Sequence, residues 1–276
     1  MKILLSGADG QLGLAIQERF PGEVIALSRP AWDIASLEAT RRALDRHRPE
    51  AVINAAAFTA VDAAESQPEE AYRVNALAPA RLAAATAERG LPLLHFSTDY
   101  VFDGASRAPC HEFHRPAPLS VYGASKLAGE EAVRGLNPRH YIVRTAWLHH
   151  PRRPNFLRTM VQLAQRKEEV RVIADRVGSP TSALHLADAL APLLESGDFG
   201  LHHLVNGGQA SWCDLTVYLY QKMNLPTRTI PIPAAEYPQP APRPAHSVLT
   251  TLRDPPWRLP SWQEGVDLFV ARFQAP

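Results

Sequence analysis

Tyr122 and Lys126 stand four residues apart in Tyr122-Gly123-Ala124-Ser125-Lys126. On a helix, that spacing puts two side chains on one face, one turn apart. An ammonium beside a phenol favours the phenolate and lowers the phenol from its usual value of about 10. A phenol tuned in this way can protonate an alkoxide as a keto group is reduced. Seven tyrosines and four lysines in 276 residues give roughly 0.1 such pairs by chance, so the pair is informative without being proof. A second pair, Tyr218 and Lys222, lies on a late amphipathic pattern with no phosphate turn before it, and it is read as surface and core filling. Ahead of the first pair runs Ser97-Thr98-Asp99-Tyr100-Val101-Phe102-Asp103-Gly104. Residues at the carboxyl end of a sheet strand face the ligand crevice. Thr98 can there donate to a substrate carbonyl or alkoxide, and Asp99 joins it as a candidate substrate contact.

A keto reduction needs a hydride source, and the first residues offer a place for one. Gly7-Ala8-Asp9-Gly10-Gln11-Leu12-Gly13 follows an apolar strand and opens a helix. One glycine makes the turn, one admits a pyrophosphate to the backbone, and one lets helix pack on strand. The free N–H groups and positive end of that helix suit phosphates. After the next strand comes Ser28-Arg29, where an acidic residue would hold the ribose hydroxyls of NAD. An arginine suits the 2′-phosphate of NADP, although a solvated arginine at a strand end explains it nearly as well. Asp33-Ile34 follows and can flank the adenine. NADPH is the expected cofactor, with NADH as the alternative.

The elements that must position these groups are legible as alternation. Apolar runs at Lys2–Ser6, Glu23–Leu27, Ala51–Asn54, Pro92–Ser97 and Tyr141–Thr145 alternate with helical patterns at Gln11–Phe20, Ser36–Arg48, Pro68–Arg89 and Leu119–Arg134. Continuous apolar strands between helices predict a parallel sheet covered on both faces, with right-handed crossovers. The fold class is therefore α/β, a Rossmann-type doubly wound parallel sheet with a smaller C-terminal α+β region that binds substrate. Residues 1–148 form the nucleotide-binding part and 149–276 mainly the substrate part, with interleaving of the two left open. Beyond 148, helices are expected at Phe156–Arg166, Ala183–Ser196 and Ser211–Asn224, and strands at Val170–Ile173 and Leu201–Leu204. Ten of the 25 prolines fall between Pro226 and Pro260, which rules out a regular helix or central strand there. That stretch is a linker or an ordered loop packed over a site.

Composition narrows the partners. Net charge is +1, from 29 basic and 28 acidic residues, so no broad basic field awaits a nucleic acid. Hydrophobic content of 46% supports a full core. Cys110 and Cys213 lie far apart with no C-x-x-C, which excludes a zinc ribbon or disulfide framework. No metal site is expected: His149-His150 and His202-His203 lack a convincing third ligand. No run reaches the roughly 18 apolar residues of a membrane span, and a cytoplasmic location is expected.

Gly7…Gly13, Asn54-Ala55-Ala56-Ala57, Ser97–Gly104 and Tyr122–Lys126 resemble the extended short-chain dehydrogenase/reductases. Asn54–Asp62, Arg144-Thr145-Ala146-Trp147, Gly178-Ser179-Pro180-Thr181 and Arg243-Pro244…Ser247 narrow the resemblance to the dTDP-4-dehydrorhamnose reductase family. It runs over nearly the whole chain. It implies Thr98, Tyr122 and Lys126 as the catalytic trio, and cofactor contacts at Gly10-Gln11-Leu12, Asp33-Ile34, Ala56-Ala57-Phe58, Tyr122 and Lys126. It implies a nucleotide-sugar substrate touched by Trp147 and by Arg243, whose paired N–H groups suit a diphosphate. A homodimer is the implied assembly. Phe58, His149, Arg176 and Thr250 depart from the family pattern, and these departures bear on substrate and cofactor choice. Two other readings stay open. One is a non-catalytic NADP-binding regulatory subunit. The other is a related nucleotide-sugar reductase, epimerase or dehydratase, although Asp99-Tyr100 lacks the acidic pair a dehydratase needs.

Overall fold

The computed structural model describes residues 1–29, 31–253 and 257–273. Its first half runs β1 (Ile3–Ser6), α1 (Gln11–Arg19), β2 (Val24–Leu27), α2 (Leu37–His47), β3 (Ala51–Asn54), α3 (Val61–Ser66), α4 (Pro68–Tyr72), α5 (Ala78–Ala87), β4 (Leu93–Thr98), α6 (Val121–Leu136) and β5 (His140–Thr145). The strands pair in parallel in the order β2-β1-β3-β4-β5, and Gly200–His203 adds a sixth strand beside β5. The chain reverses direction across the sheet between β1 and β3, and in open parallel sheets ligands bind outside the strand ends at such a point.

All four residues of β1, all four of β3 and all six of β4 are buried. That is the signature of strands covered on both faces, where fully burying each Leu or Ile contributes about 1.5–3 kcal/mol. On one face Leu12 and Ile16 of α1 meet Leu184, Leu186 and Leu190. On the other Leu44, Leu82 and Val133 pack from α2, α5 and α6.

Three expectations shift. The long helix over Pro68–Arg89 is interrupted by a π-helical turn at Arg73–Leu77. Pro79 has no N–H to give the Asn75 carbonyl, and Gly129 of α6 closes on that carbonyl: a Cβ there would lie 2.1 Å from it. Ala183–Ser196 divides into Ala183–Asp188 and Leu190–Ser196. The expected strand near Leu201 belongs to the main sheet, so the chain beyond 148 returns to the first half.

A second core gathers Leu157, Val172, Leu219 and Phe269. Within the proline-rich stretch, Arg228–Ile232 pairs in parallel with Glu169–Ile173 as a two-stranded sheet, where Pro231 costs no central ladder bond. The following segment crosses back to bridge Val177 through His246 and Cys110 through Leu249. Pro255 and Pro256 of that stretch lie outside the described residues.

Candidate active site

The glycine turn fits a pyrophosphate for reasons of space. Gly7 sits at φ +73°, and a Cβ on it would lie 2.5 Å from the Ala55 carbonyl carbon. A Cβ on Gly13 would lie 2.1 Å from the Gly7 oxygen, so only glycine lets α1 approach. Gly10 caps α1 with no side chain over its end, which leaves the backbone N–H groups of the first turn facing outward. Leu12 contributes backbone alone, since its side chain is in the core. Gln11 donates to Leu148 O at 3.3 Å, and its Oε1 is buried without a partner.

Beside the turn lies a cavity of about 220 Å³ whose walls include Ser28, Arg29, Asp33, Ile34, Ala56 and Ala57. Asp33 accepts from the Ala35 N–H at 3.0 Å. Arg73 also lines this cavity, held by Glu70 through two bonds of 2.6 Å. Sequence reasoning missed it, because a lone arginine inside a helical pattern carries no signal. These residues suit a dinucleotide whose adenosine end carries an extra phosphate. Phe58 is not among the walls of this cavity. Its N–H and C=O are held by the Asn75 side chain at 2.8 and 3.1 Å. Asn75 also donates to Ser125 Oγ at 3.0 Å, and Ser125 donates to the Tyr122 carbonyl at 2.8 Å. The loop below the cofactor cavity is thereby tied to the helix that carries Tyr122.

Thr98 ends β4, and Tyr122 sits in the first turn of α6. Ser120 Oγ caps that helix on Gly123 N–H at 3.1 Å, and Glu65 takes Val121 N–H at 2.8 Å. A Cβ on Gly123 would lie 2.2 Å from Tyr100 O, so glycine lets the helix end close on the turn after β4. The rings of Tyr122 and Tyr100 meet edge to face at 5.7 Å. The Thr98 hydroxyl bears on the Tyr122 phenol, and Thr98, Tyr122 and Lys126 lie on β4 and on the helix α6 that packs against it.

The electrostatics differ from expectation. Burial, with help from Asp99 and Tyr100, pushes the Tyr122 phenol up, and the Thr98 hydroxyl only partly offsets this. Lys126 does not act on it here. Its Nζ donates to Phe96 O at 2.5 Å and lies 3.5 Å from His95 Nε2. Burial pulls Lys126 down to about 8, against the pull of Glu130. The lysine-tuned phenol expected from the spacing is therefore corrected: the two groups stand one helical turn apart, and Lys126 bonds Phe96 and His95, not the phenol.

Asp99 is corrected too. It is buried, with Oδ1 accepting from Thr98 at 3.1 Å and Oδ2 from Ser247 at 2.5 Å, and burial raises it to about 6. It anchors Thr98 instead of meeting substrate.

A larger cavity of about 890 Å³ opens next to Tyr100, with walls that include Phe156, Trp212, Arg176 and Arg243. Trp147, at φ +46°, stacks on Trp212 at 3.5 Å and 4°, with its indole pressed on Gly178. Trp212 lines the cavity, whereas Trp147 lies behind it and is not among the walls. Arg243 does line the cavity, but its fork is engaged by Asp62 at 2.9 and 2.8 Å. It is a clasp between the first half and the proline-rich stretch. Asp62 and Ser247 stood within the quoted stretches and Arg176 among the departures, whereas Trp212 gave no signal. The second Tyr–Lys pair differs in kind: Tyr218 and Lys222 both bond Asp267, each at 3.1 Å, with Lys222 exposed. His203 Nδ1 meets the carbonyls of Cys110 and Thr250.

The family model described as RmlD substrate binding domain matches residues 1–275. A dTDP-4-dehydrorhamnose reductase of Sinorhizobium fredii is 40% identical, covering 98% of this chain and 97% of that protein. One from Burkholderia thailandensis is 41% identical, with 98% of each covered. A crystal structure of the dTDP-4-dehydrorhamnose reductase from Bacillus anthracis in complex with NADP superposes with a TM-score of 0.95 at 35% identity, covering 98% of this chain and 99% of that one. The chain belongs to the RmlD family, that of the dTDP-4-dehydrorhamnose reductases.

Proposed function

We infer that this protein reduces the C4 keto group of dTDP-4-dehydro-L-rhamnose to give dTDP-L-rhamnose, using NADPH. The observation that carries the reading is the place of Tyr122. Its ring touches Tyr100, a wall of the larger cavity, while its helix is tied through Ser125 and Asn75 to the loop beside Ala55–Ala57 in the smaller one. On this reading the phenol serves a dinucleotide bound in the smaller cavity and a nucleotide sugar bound in the larger one.

When bound, the cofactor supplies the hydride. The chain's own residues do the rest. The Gly7–Gly13 turn and the end of α1 hold the pyrophosphate, and Arg29 and Arg73 favour a 2′-phosphate. Tyr122 gives its proton to the oxygen that becomes the C4 hydroxyl, and burial keeps that proton on the phenol until an alkoxide develops. Thr98, fixed by Asp99, orients the phenol. Trp212 offers a face to the base, while Arg176 and Arg243 bring positive charge to the diphosphate. The intact trio favours catalysis over a purely regulatory role, and Asp99, closed off by Thr98 and Ser247, is not free to expel water as a dehydratase requires. A homodimer in the cytoplasm belongs to the same reading.

The test is a coupled assay with dTDP-4-keto-6-deoxyglucose, its 3,5-epimerase, this protein and each reduced cofactor in turn. Steady oxidation of NADPH, faster than of NADH, is expected. Tight NADP binding with no turnover would support the regulatory reading instead.

A further inference from the structure

Behind Lys126 lies a buried chain of side chains that the reductase reading does not use. Ser6, Asn54, His95 and Lys126 come from β1, β3, β4 and α6, and each is at most 2% exposed. Ser6 Oγ donates to Asn54 Oδ1 at 2.7 Å, Asn54 Nδ2 meets His95 Nδ1 at 3.0 Å, and His95 Nε2 faces Lys126 Nζ at 3.5 Å.

The positions of the protons follow from one backbone group. The Ala56 N–H can only donate, and it reaches Asn54 Oδ1 at 3.2 Å. The amide oxygen must therefore face Ala56, and the amide nitrogen must face His95. An amide nitrogen donates, so His95 Nδ1 must accept. The ring is then neutral and carries its proton on Nε2, pointing at Lys126. Burial independently holds His95 well below the usual histidine range.

A donor aimed at Nζ opposes an ammonium, which has only N–H groups to present, and suits an amine with a lone pair. We propose that the Ser6–Asn54–His95 chain is a positioning relay that fixes a hydrogen-bond donor against Lys126 and so sets the protonation state of that lysine. The charged groups that bear on Lys126 from the surrounding elements are few among the described residues. Glu130, on the same helix, favours the ammonium, but both its oxygens are engaged by Arg144 of β5 and one also by Ser97 of β4. Glu65 of α3 acts at the helix end, on Val121. His95 is the titratable group of β4 that touches Nζ. The same Asn54 oxygen that orients the relay holds the backbone of Ala56, a wall of the dinucleotide cavity, so the proton at Lys126 is coupled to the cofactor loop.

The relay matters for catalysis only if Lys126 belongs to the reductase site, and the test separates the two claims by reading protonation directly. Four lysines are few enough to resolve by carbon NMR of the whole protein labelled at lysine Cε, and the signal lost in Lys126→Met assigns the one in question. Two variants disturb the relay differently. In His95→Gln the side chain can turn its carbonyl to the ammonium, and in Asn54→Ala the imidazole is free to move its proton to Nδ1. Both are expected to raise the proton affinity of Lys126 tenfold or more, and the basic limb of the kcat–pH profile is expected to move with it. Unchanged Lys126 titration in both variants would overturn the proposal. Should neither variant fold, imidazole nitrogen NMR of the unaltered protein decides. A neutral Nε2–H ring at His95 between pH 6 and 9 supports the relay, and an Nδ1–H ring or an imidazolium contradicts it. A Lys126 titration that moves in a protein without reductase turnover would leave the relay standing and remove the function.

Discussion

Thr98 Oγ1 accepts from the Tyr100 N–H at 3.2 Å, and its one proton has two acceptors to serve, Asp99 Oδ1 at 3.1 Å and the Tyr122 phenol oxygen, whose rise it partly offsets. The motif made Thr98 a donor to substrate. The fold gives that proton a competing taker, because a buried carboxylate lies next in the chain. That distinction was invisible in sequence: Asp99 is closed off by Ser247, 148 positions away. A titration follows. Asp99 rises from 3.8 to about 6 in the folded state, so the fold holds this proton more tightly than the unfolded chain does. The contribution of Asp99 to stability therefore falls as pH climbs from 3.8 to about 6, and the full penalty stands above that. Asp99→Asn keeps an acceptor for Thr98 and removes the penalty. The variant is expected to exceed the parent in stability by about 1–3 kcal/mol at pH 8, with the gap closing towards pH 4. Urea melts at several pH values read this out, and a gap independent of pH would contradict it.

Strands and helices were largely legible because burial on both faces leaves continuous apolar runs, and because the glycine turn has its own spacing. The central sheet and α6 appear within a few residues of where periodicity put them. What was not legible depended on contacts across the sheet. Within the π turn at Arg73–Leu77, Asn75 reaches Phe58 and Ser125, partners 17 and 50 positions away. Lys126 pointing to Phe96 and not to the phenol likewise depends on strand β4 lying beneath α6. At this scale a tight constraint is Gly13, where any Cβ collides with backbone. Gly13→Ala is expected to push α1 off β1 and weaken NADPH binding at least tenfold. Fluorescence titration measures it, and unaltered affinity would show that the helix does not need this approach.

The halves of the molecule meet around the larger cavity, and the clasp between Asp62 and Arg243 is one of the bonds that hold them. Asp62 also accepts from Ala241 N–H at 3.1 Å, so three donors from the proline-rich stretch converge on one carboxylate. The proline count left a linker or an ordered loop over a site; it could not say which residue of the first half would hold that stretch. Asp62→Asn is expected to raise the KM for the nucleotide sugar about tenfold and to expose the segment near Tyr237 to proteolysis, with the Kd for NADPH unchanged. Equal losses of sugar and cofactor affinity would mean that the clasp supports the whole fold and not one cavity.

The claim beneath all of this is that the Tyr122 phenol is the proton donor. Tyr122→Phe removes one oxygen and keeps the ring against Tyr100. Single-turnover reduction of the dTDP-4-keto sugar by the variant, with NADPH binding measured in parallel, tests it. The account predicts retained NADPH affinity with hydride transfer slowed by about 10²–10⁴-fold. Transfer at the parent rate would contradict it.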